Sequence, residues 1–272
     1  MSATPPFEIS GKTRIMFILA DPVAHIRGSV VLTRELRALG HDIAISPLHV
    51  KPADLAQTVD AIRKFHNVAG FGITIPHKIA VAGLIDELLP QAKLVGSVNF
   101  VRRNADGTLV GDNLDGIGFV DGARQSGIDF AGKRVLQLGA GGAGRSIAFS
   151  IAAAGAKALG IANRTAARAA ELAQAVQAAY PACEAFVAPA DVQGFDAVVN
   201  TTSLGMKAED PLPADLTRLR PEMSVSEIIM SPELTPLLLA GQQRGCRISL
   251  GKSMLENQVR RLEALLGLAA AT

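Results

Sequence analysis

Short apolar runs alternate along the chain with longer stretches whose apolar residues recur every three to four positions. Arg14–Ala20 reads as a buried strand, and Val30–Leu39 as a helix stopped by Gly40. Asp42–Val50 is the next strand. Pro52-Ala53-Asp54 then opens a helix whose Leu55, Val59, Ile62 and Phe65 share one inward face. Gly70–Ile75 is strand-like, and Pro76 predicts a helix over Lys78–Leu89. Leu94–Arg102 and Leu109–Asn113 read as two further strands around the turn Asn104-Ala105-Asp106-Gly107.

The same alternation continues after Gly132-Lys133. Strands are expected at Arg134–Leu138, Ala158–Ala162, Ala185–Ala188, Asp196–Asn200, Met223–Ile229 and Arg247–Leu250. Helices are expected at Gly144–Ala154, Ala166–Ala179, Leu234–Arg244 and Met254–Leu266. Strands and helices in strict alternation imply an α/β protein with parallel sheets and helical crossovers. The pattern divides into an N-terminal α/β domain over 1–114 and a Rossmann-type nucleotide domain over 115–251. A C-terminal helix within 252–272 is expected to pack back on the first domain.

Composition narrows the function. Of 272 residues, 49% are hydrophobic and 19% charged, which supplies a large core and excludes a disordered chain. The net charge is +2, and aromatics are 4% with Tyr180 as the only tyrosine. Neither a basic footprint nor a base-stacking surface argues for nucleic acid. The two cysteines, Cys183 and Cys246, suit unpaired thiols in a reducing compartment. With no leader-like start and no membrane-length apolar run, a soluble cytoplasmic protein is expected, as a monomer or homodimer.

The sharpest motif is Gly139-Ala140-Gly141-Gly142-Ala143-Gly144, set between a strand and a helix. The first glycine permits a tight turn, the next lets backbone approach a pyrophosphate, and the last lets helix and strand pack closely. The helix N-terminus adds unpaired N–H groups and a positive dipole end, so a dinucleotide is the expected ligand. A cofactor lacking a 2′-phosphate favours an acidic residue after the second strand. This chain has Asn163-Arg164-Thr165 and then Arg168, so NADP is preferred to NAD, with Arg164 and Arg168 facing the phosphate. The plainer reading of these arginines is a solvated helix start.

Two more segments set polar groups beside buried strands. Phe71-Gly72-Ile73-Thr74-Ile75-Pro76-His77-Lys78 puts Lys78 at a predicted helix start, where the dipole opposes its charge and would lower its pKa. Gly111-Asp112-Asn113-Leu114-Asp115-Gly116 puts two carboxylates at another helix entrance. Alone, these read as a surface lysine and an N-capping turn. His25, His41, His49, His66 and His77 lack metal-ligand spacing, so no metal is expected.

Together the segments resemble the shikimate dehydrogenase family over nearly the whole chain. The matching stretches are Asp21-Pro22-Val23-Ala24-His25, Thr74-Ile75-Pro76-His77-Lys78, Gly96-Ser97-Val98-Asn99 and Asn113-Leu114-Asp115-Gly116. They continue with Asn200-Thr201-Thr202-Ser203-Leu204-Gly205-Met206, Pro232-Glu233-Leu234-Thr235-Pro236-Leu237-Leu238 and Gly251-Lys252-Ser253-Met254-Leu255-Glu256-Asn257-Gln258. The resemblance implies a substrate domain followed by an NAD(P) domain, and reversible hydride transfer between NAD(P) and a cyclic secondary alcohol such as shikimate. It makes Lys78 and Asp115 the catalytic pair and puts Thr74, Asn99 and Gln258 on the substrate. Cofactor contacts would come from the glycine loop, Asn163, Arg164, Thr165, Arg168, Thr201, Thr202, Ser203, Gly251 and Met254.

The departures from the family pattern are local. Members hold the substrate carboxylate with two serines and a tyrosine, where this chain has Ile26, Gly28 and Met230. Leu114 stands for a threonine and Gly72 for an asparagine. The rival readings are an NAD-linked quinate/shikimate dehydrogenase of a catabolic route and a folate-type dehydrogenase, which leaves the late motifs unexplained. A non-catalytic dinucleotide sensor is the third, and it would not need Lys78, Asp115, Asn99 and Gln258.

Overall fold

The chain begins its first unit with the apolar run Arg14–Ala20, which forms strand β1. Helix α1 (Gly28–Ala38) crosses over to β2 (Ile43–His49), and α2 (Leu55–Ile62) to β3 (Val68–Ile73). Both strands run parallel to β1, as β-α-β crossovers dictate. The computed structural model describes residues 8–24 and 26–268, so His25 lies outside the described residues. On α2, Leu55, Val59 and Ile62 are buried, the spacing that packs one helix face on the sheet. The helix ends there, so Phe65, expected on that face, is 46% exposed.

The expected helix over Lys78–Leu89 does not form. A 3-10 turn spans Ala80–Leu84, followed by the short strand β4 (Glu87–Leu88) and helix α3 (Pro90–Val95). The Lys78 carbonyl accepts from the Val98 N–H (2.8 Å) rather than from a following turn, and Gly83 weakens any helix there. Helix α3 takes the start of the expected strand Leu94–Arg102, leaving β5 at Phe100–Arg103. Strand β5 pairs antiparallel with both β3 and β6 (Leu109–Asp112). The sheet, in order β2-β1-β3-β5-β6-β4, is therefore mixed rather than wholly parallel as expected. Leu19, Phe71, Val81, Val101 and Leu109 form part of its core.

The second unit, Asn113–Gln258, opens with helix α4 (Asp115–Gln125). There follow β7 (Arg134–Leu138), α5 (Gly142–Ala153), β8 (Ala158–Ala162), α6 (Ala166–Ala179) and β9 (Glu184–Val187). Strands β10 (Ala197–Asn200), β11 (Ser224–Glu227) and β12 (Arg247–Ser249) complete it, with α7 (Pro236–Gln243) before β12 and α8 (Gly251–Glu256) after it. The order β12-β11-β10-β7-β8-β9 is parallel at every pairing. This is the doubly wound arrangement, with its switch point between β7 and β10.

The expected single C-terminal helix is broken at Asn257-Gln258. Helix α8 packs on α4 within the second unit, while α9 (Val259–Leu265) returns to the first and meets α1 and β5. The division between units falls after Asp112 and again after Gln258, not after residues 114 and 251. The break has a cause in its side chains. Asn257 turns back to the Ser253 carbonyl (2.8 Å), and Gln258 is 1% exposed and directed inward.

Candidate active site

In the first unit, the candidate residues gather at the carboxyl ends of β1 and β3. The Thr74 N–H donates to the Leu19 carbonyl (3.0 Å) and the Asp21 N–H to that of Ile75 (3.1 Å). The Asn99 carbonyl accepts from Ile73 (2.8 Å), while the Asn99 N–H donates to Asp112 (3.0 Å). Thr74, Lys78 and Asn99 are thus carried on one hydrogen-bonded backbone frame, with Asn99 buried and the other two half-buried. His77 is 1% exposed and its Nε2 meets the Val50 carbonyl (2.7 Å), which makes it a brace between neighbouring segments. Lys78 sits in a turn two residues before the 3-10 segment rather than at the start of the expected helix. Ile26 is half-buried, Arg27 exposed and Ser29 buried at the start of α1.

In the second unit, Asp115 is 3% exposed at the first turn of α4 and accepts from Gln258 Nε2 (3.4 Å). Two contacts fix it. The Asp115 N–H donates to Asn113 Oδ1 (3.1 Å), and the Gly116 N–H to Ser146 Oγ (2.9 Å). Gly118 lets α8 come close, since a Cβ there would lie 2.5 Å from Gln258 Cγ and 2.6 Å from the Met254 carbonyl oxygen.

The glycine loop leaves β7 at the switch point. Gly139 holds φ +107°, a conformation that favours glycine. A Cβ on Gly144 would come within 2.8 Å of the Gly139 carbonyl, the close helix–strand approach expected of the last glycine. Around Gly141, by contrast, a Cβ would meet nothing within 4 Å, and no side chain caps the N-terminus of α5. Open space beside uncapped N–H groups fits the pyrophosphate of a dinucleotide. Buried Gln137 supports the loop from its amide Nε2, which donates to Gly139 (2.9 Å) and Gly144 (2.8 Å).

Asn163 joins the loop to the end of β8, accepting from the Ala140 N–H (3.1 Å) and donating to the Thr165 carbonyl (2.9 Å). Arg164, Thr165 and Arg168 are exposed beyond it. The Thr201 hydroxyl donates to the Leu138 (2.8 Å) and Gly139 (3.1 Å) carbonyls, so its side chain braces the loop. Thr202 and Ser203 follow at the end of β10. Gly251 packs on the Ile229 backbone, where a Cβ would lie 2.1 Å from its carbonyl oxygen, and Met254 is half-buried on α8.

Sequence reasoning missed Glu227, at the end of β11 and 1% exposed. Its Oε1 accepts from Ile228 (2.8 Å) and Ile229 (3.1 Å), and its Oε2 from Asn200 Nδ2 (3.0 Å) and the Thr235 hydroxyl (3.0 Å). Burial pushes its carboxyl above the usual range, against the pull of Asn200, the two backbone amides and Thr235. The available signal was an acidic residue at the end of a strand whose Val225, Ser226 and Glu227 are all buried.

A doubly wound unit with this glycine loop, preceded by an α/β unit bearing a lysine and amide set, defines the class of NAD(P)-dependent oxidoreductases. Residues 18–101 match the shikimate dehydrogenase substrate binding domain, and 121–207 match shikimate / quinate 5-dehydrogenase. A shikimate dehydrogenase (NADP(+)) of Geobacter metallireducens is 41% identical over 259 residues, covering 92% of this chain and 90% of that protein. Among solved structures, the ligand-free 5-ketofructose reductase of Gluconobacter sp. strain CHM43 has a TM-score of 0.84 and 31% identity over 96% of each chain. A shikimate dehydrogenase in complex with NADP+ has a TM-score of 0.90 and 27% identity, over 99% of this chain and 95% of that one. The chain belongs to the shikimate dehydrogenase family and is an oxidoreductase acting on a CH–OH group.

Proposed function

We propose that this protein is an NADP-preferring oxidoreductase whose substrate is a polyhydroxy alcohol or ketone without an anionic group at the clamp position. The observation that carries it is the loss of donors at Ile26, Gly28 and Met230. A buried carboxylate needs matching donors or a cation, or its desolvation costs several kcal/mol. Arg27, exposed, and Ser29, buried at the start of α1, flank Gly28, and neither occupies a clamp position. The 5-ketofructose reductase among the structural relatives acts, by its name, on a neutral sugar ketone, which supports the same reading.

The bound dinucleotide supplies the hydride acceptor or donor. The protein's own groups handle the proton. Oxidation of a secondary alcohol releases a hydroxyl proton, and reduction of a ketone takes one up. Lys78 exchanges that proton, and Asp115, held by Gln258, is the second member of the proposed catalytic pair. Thr74, Asn99 and Gln258 direct the ring or chain hydroxyls. Arg164 and Arg168 face the 2′-phosphate, a role supported by the absence of an acidic residue after β8 and by relatives named for NADP(+). We infer a cytoplasmic enzyme, supported by the free, buried Cys183 and Cys246 and by the lack of a membrane-length apolar helix among the described residues.

The second reading keeps shikimate or quinate as substrate, and the identity to curated shikimate dehydrogenases favours it. A panel separates the two: shikimate and quinate with NADP+, and 3-dehydroshikimate and 5-ketofructose with NADPH. Losing two or three bonds to a charged group, at roughly 1.5–3 kcal/mol each, weakens the carboxylate substrates by at least ~10²-fold. Micromolar affinity for shikimate would overturn the neutral-substrate reading and leave the family chemistry intact.

A further inference from the structure

Glu227 is buried and carries no assigned role, yet it bonds to Asn200, Thr235 and the amides of Ile228 and Ile229, beside the 201–204 loop that the family resemblance puts on the nicotinamide side of the cofactor. It is a pure acceptor, and both oxygens are occupied by donors. That fixes the sense of the next bonds. Because Glu227 can only accept, Asn200 must present its Nδ2 to it, and the same Nδ2 also reaches the Leu204 carbonyl (3.0 Å). Asn200 Oδ1 is then left to accept from the Thr202 N–H (3.0 Å) and hydroxyl (2.7 Å). With its proton committed to Asn200, the Thr202 oxygen accepts from the Leu204 N–H (3.1 Å). One carboxylate thereby dictates the amide orientation, the hydroxyl rotor and the backbone course of residues 200–204.

We propose that Glu227 is a positioning residue which holds the 202–204 segment in its cofactor-receiving shape through Asn200. The inference rests on reading Thr201–Ser203 as a cofactor loop. A second branch runs through Thr235, which donates to Glu227 and accepts from Leu238 (3.3 Å) at the N-terminus of α7. No basic side chain pairs with Glu227 among the ion pairs of the described residues, so its four hydrogen bonds carry the compensation.

Glu227→Gln keeps the shape and breaks the polarity. Whichever way the new amide turns, its NH₂ faces either the Ile228 and Ile229 N–H groups or the Asn200 and Thr235 donors. The loop then loses its orientation from Thr202 onward, while the glycine loop, held by Gln137, Asn163 and the Thr201 hydroxyl, none of which bonds to Asn200, keeps its own.

Two ligands read the difference. NADPH, titrated by its nicotinamide fluorescence, spans both ends of the site, whereas 2′-phospho-ADP-ribose, titrated by calorimetry, spans only the adenosine and pyrophosphate end. Glu227→Gln should weaken NADPH by at least ~10-fold, as expected for losing bonds to a charged group, and leave 2′-phospho-ADP-ribose within about twofold. Thr235→Val, which removes one donor without adding one, should show the same split at ~3-fold or more, and Thr235→Ser should restore wild-type binding. Thr235→Val also carries the test if Glu227→Gln does not fold. Equal loss of both ligands in these variants would mean a merely structural role and overturn the proposal, as would unchanged binding of both. Wild-type protein that binds neither ligand would instead defeat the cofactor reading on which the proposal stands.

Discussion

Placing a single methyl group at three positions of the glycine loop separates what the loop does for folding from what it does for the ligand. At Gly144 the added Cβ lies 2.6 Å from Thr201 Oγ1 and 2.8 Å from the Gly139 carbonyl oxygen. The second neighbour is backbone and cannot swing away, so Gly144→Ala should cost about 1–3 kcal/mol by overpacking. At Gly139, φ +107° adds backbone strain to a 2.6 Å contact with Thr201 Oγ1, and the loss should be at least as large. Gly141 differs. Its backbone is extended, with φ −83° and ψ −172°, and its Cβ would meet nothing within 4 Å. Alanine there gains about 0.4–1 kcal/mol by restricting the unfolded chain and loses a similar amount as a poorer N-cap. Gly141→Ala should therefore melt close to wild type, within about 0.5 kcal/mol, while Gly139→Ala and Gly144→Ala melt several degrees lower. The open space at Gly141 is where a pyrophosphate would approach. Filling it should weaken NADP+ by at least ~10-fold, or about 1.4 kcal/mol. Thermal melts and calorimetric titration with NADP+ measure the two effects independently. A Gly141→Ala protein that binds NADP+ within twofold of wild type would refute the placement of the phosphates.

Lys78→Ala should lower turnover by ~10²–10⁴-fold, the usual loss with a general acid/base, and leave NADP+ affinity unchanged by titration. Most of the turnover surviving would remove Lys78 from the proton path. Replacing Arg164 and Arg168 with alanine should weaken NADP+ and spare NAD+, and tighter binding of NAD+ than NADP+ by wild type would leave these arginines as solvated surface. Asp86 is held below the usual carboxylate range by its bond from Arg63 and by the Leu109 N–H (2.7 Å). Because the folded value is depressed, its contribution is present above the unfolded pKa of ~3.9 and is lost as pH falls through the folded one. Melting below pH ~4 should therefore fall more steeply for wild type than for Asp86→Asn, and parallel curves would contradict it.

The second unit was largely legible because its signals are local. Buried strands such as Arg134–Leu138 and Ala158–Ala162 are bounded by glycine or polar turns, and helix Ala166–Ala179 begins and ends where the pattern changes. The stretch after Lys78 was misread because Ile79, Val81, Ala82, Leu84 and Ile85 satisfy helix and strand spacing alike. Tertiary pairing decided it, through a bond from Val98 to the Lys78 carbonyl that no local pattern contains. The C-terminal break followed the same logic. Continuous apolar spacing over Met254–Leu266 suits one helix, yet Gln258 is drawn inward to Asp115, and the two halves serve different units. Glu227 stayed hidden for another reason. Its side-chain partners Asn200 and Thr235 lie 27 and 8 residues away, beyond any short-range motif.

The separate supports of these groups explain how a substrate preference can change while the proposed chemistry stays. In the first unit, Thr74, Lys78 and Asn99 hang from main-chain bonds among β1, β3, β5 and β6, which do not depend on neighbouring side chains. Ile26 and Gly28 belong instead to the entrance of α1, a segment outside that frame. The second unit repeats the division. Asp115 and Gln258 are set by α4 against Ser146 and α8, whereas Met230 follows β11 beyond the carboxylate of Glu227. Exchanging serine or tyrosine for isoleucine, glycine or methionine at the clamp positions therefore removes ligand donors without disturbing the groups assigned to proton transfer. On the proposed assignment, such a site loses its hold on a carboxylate before it loses the ability to move a hydride, because the bonds that position the proposed acid/base group are not those that hold the proposed clamp segments.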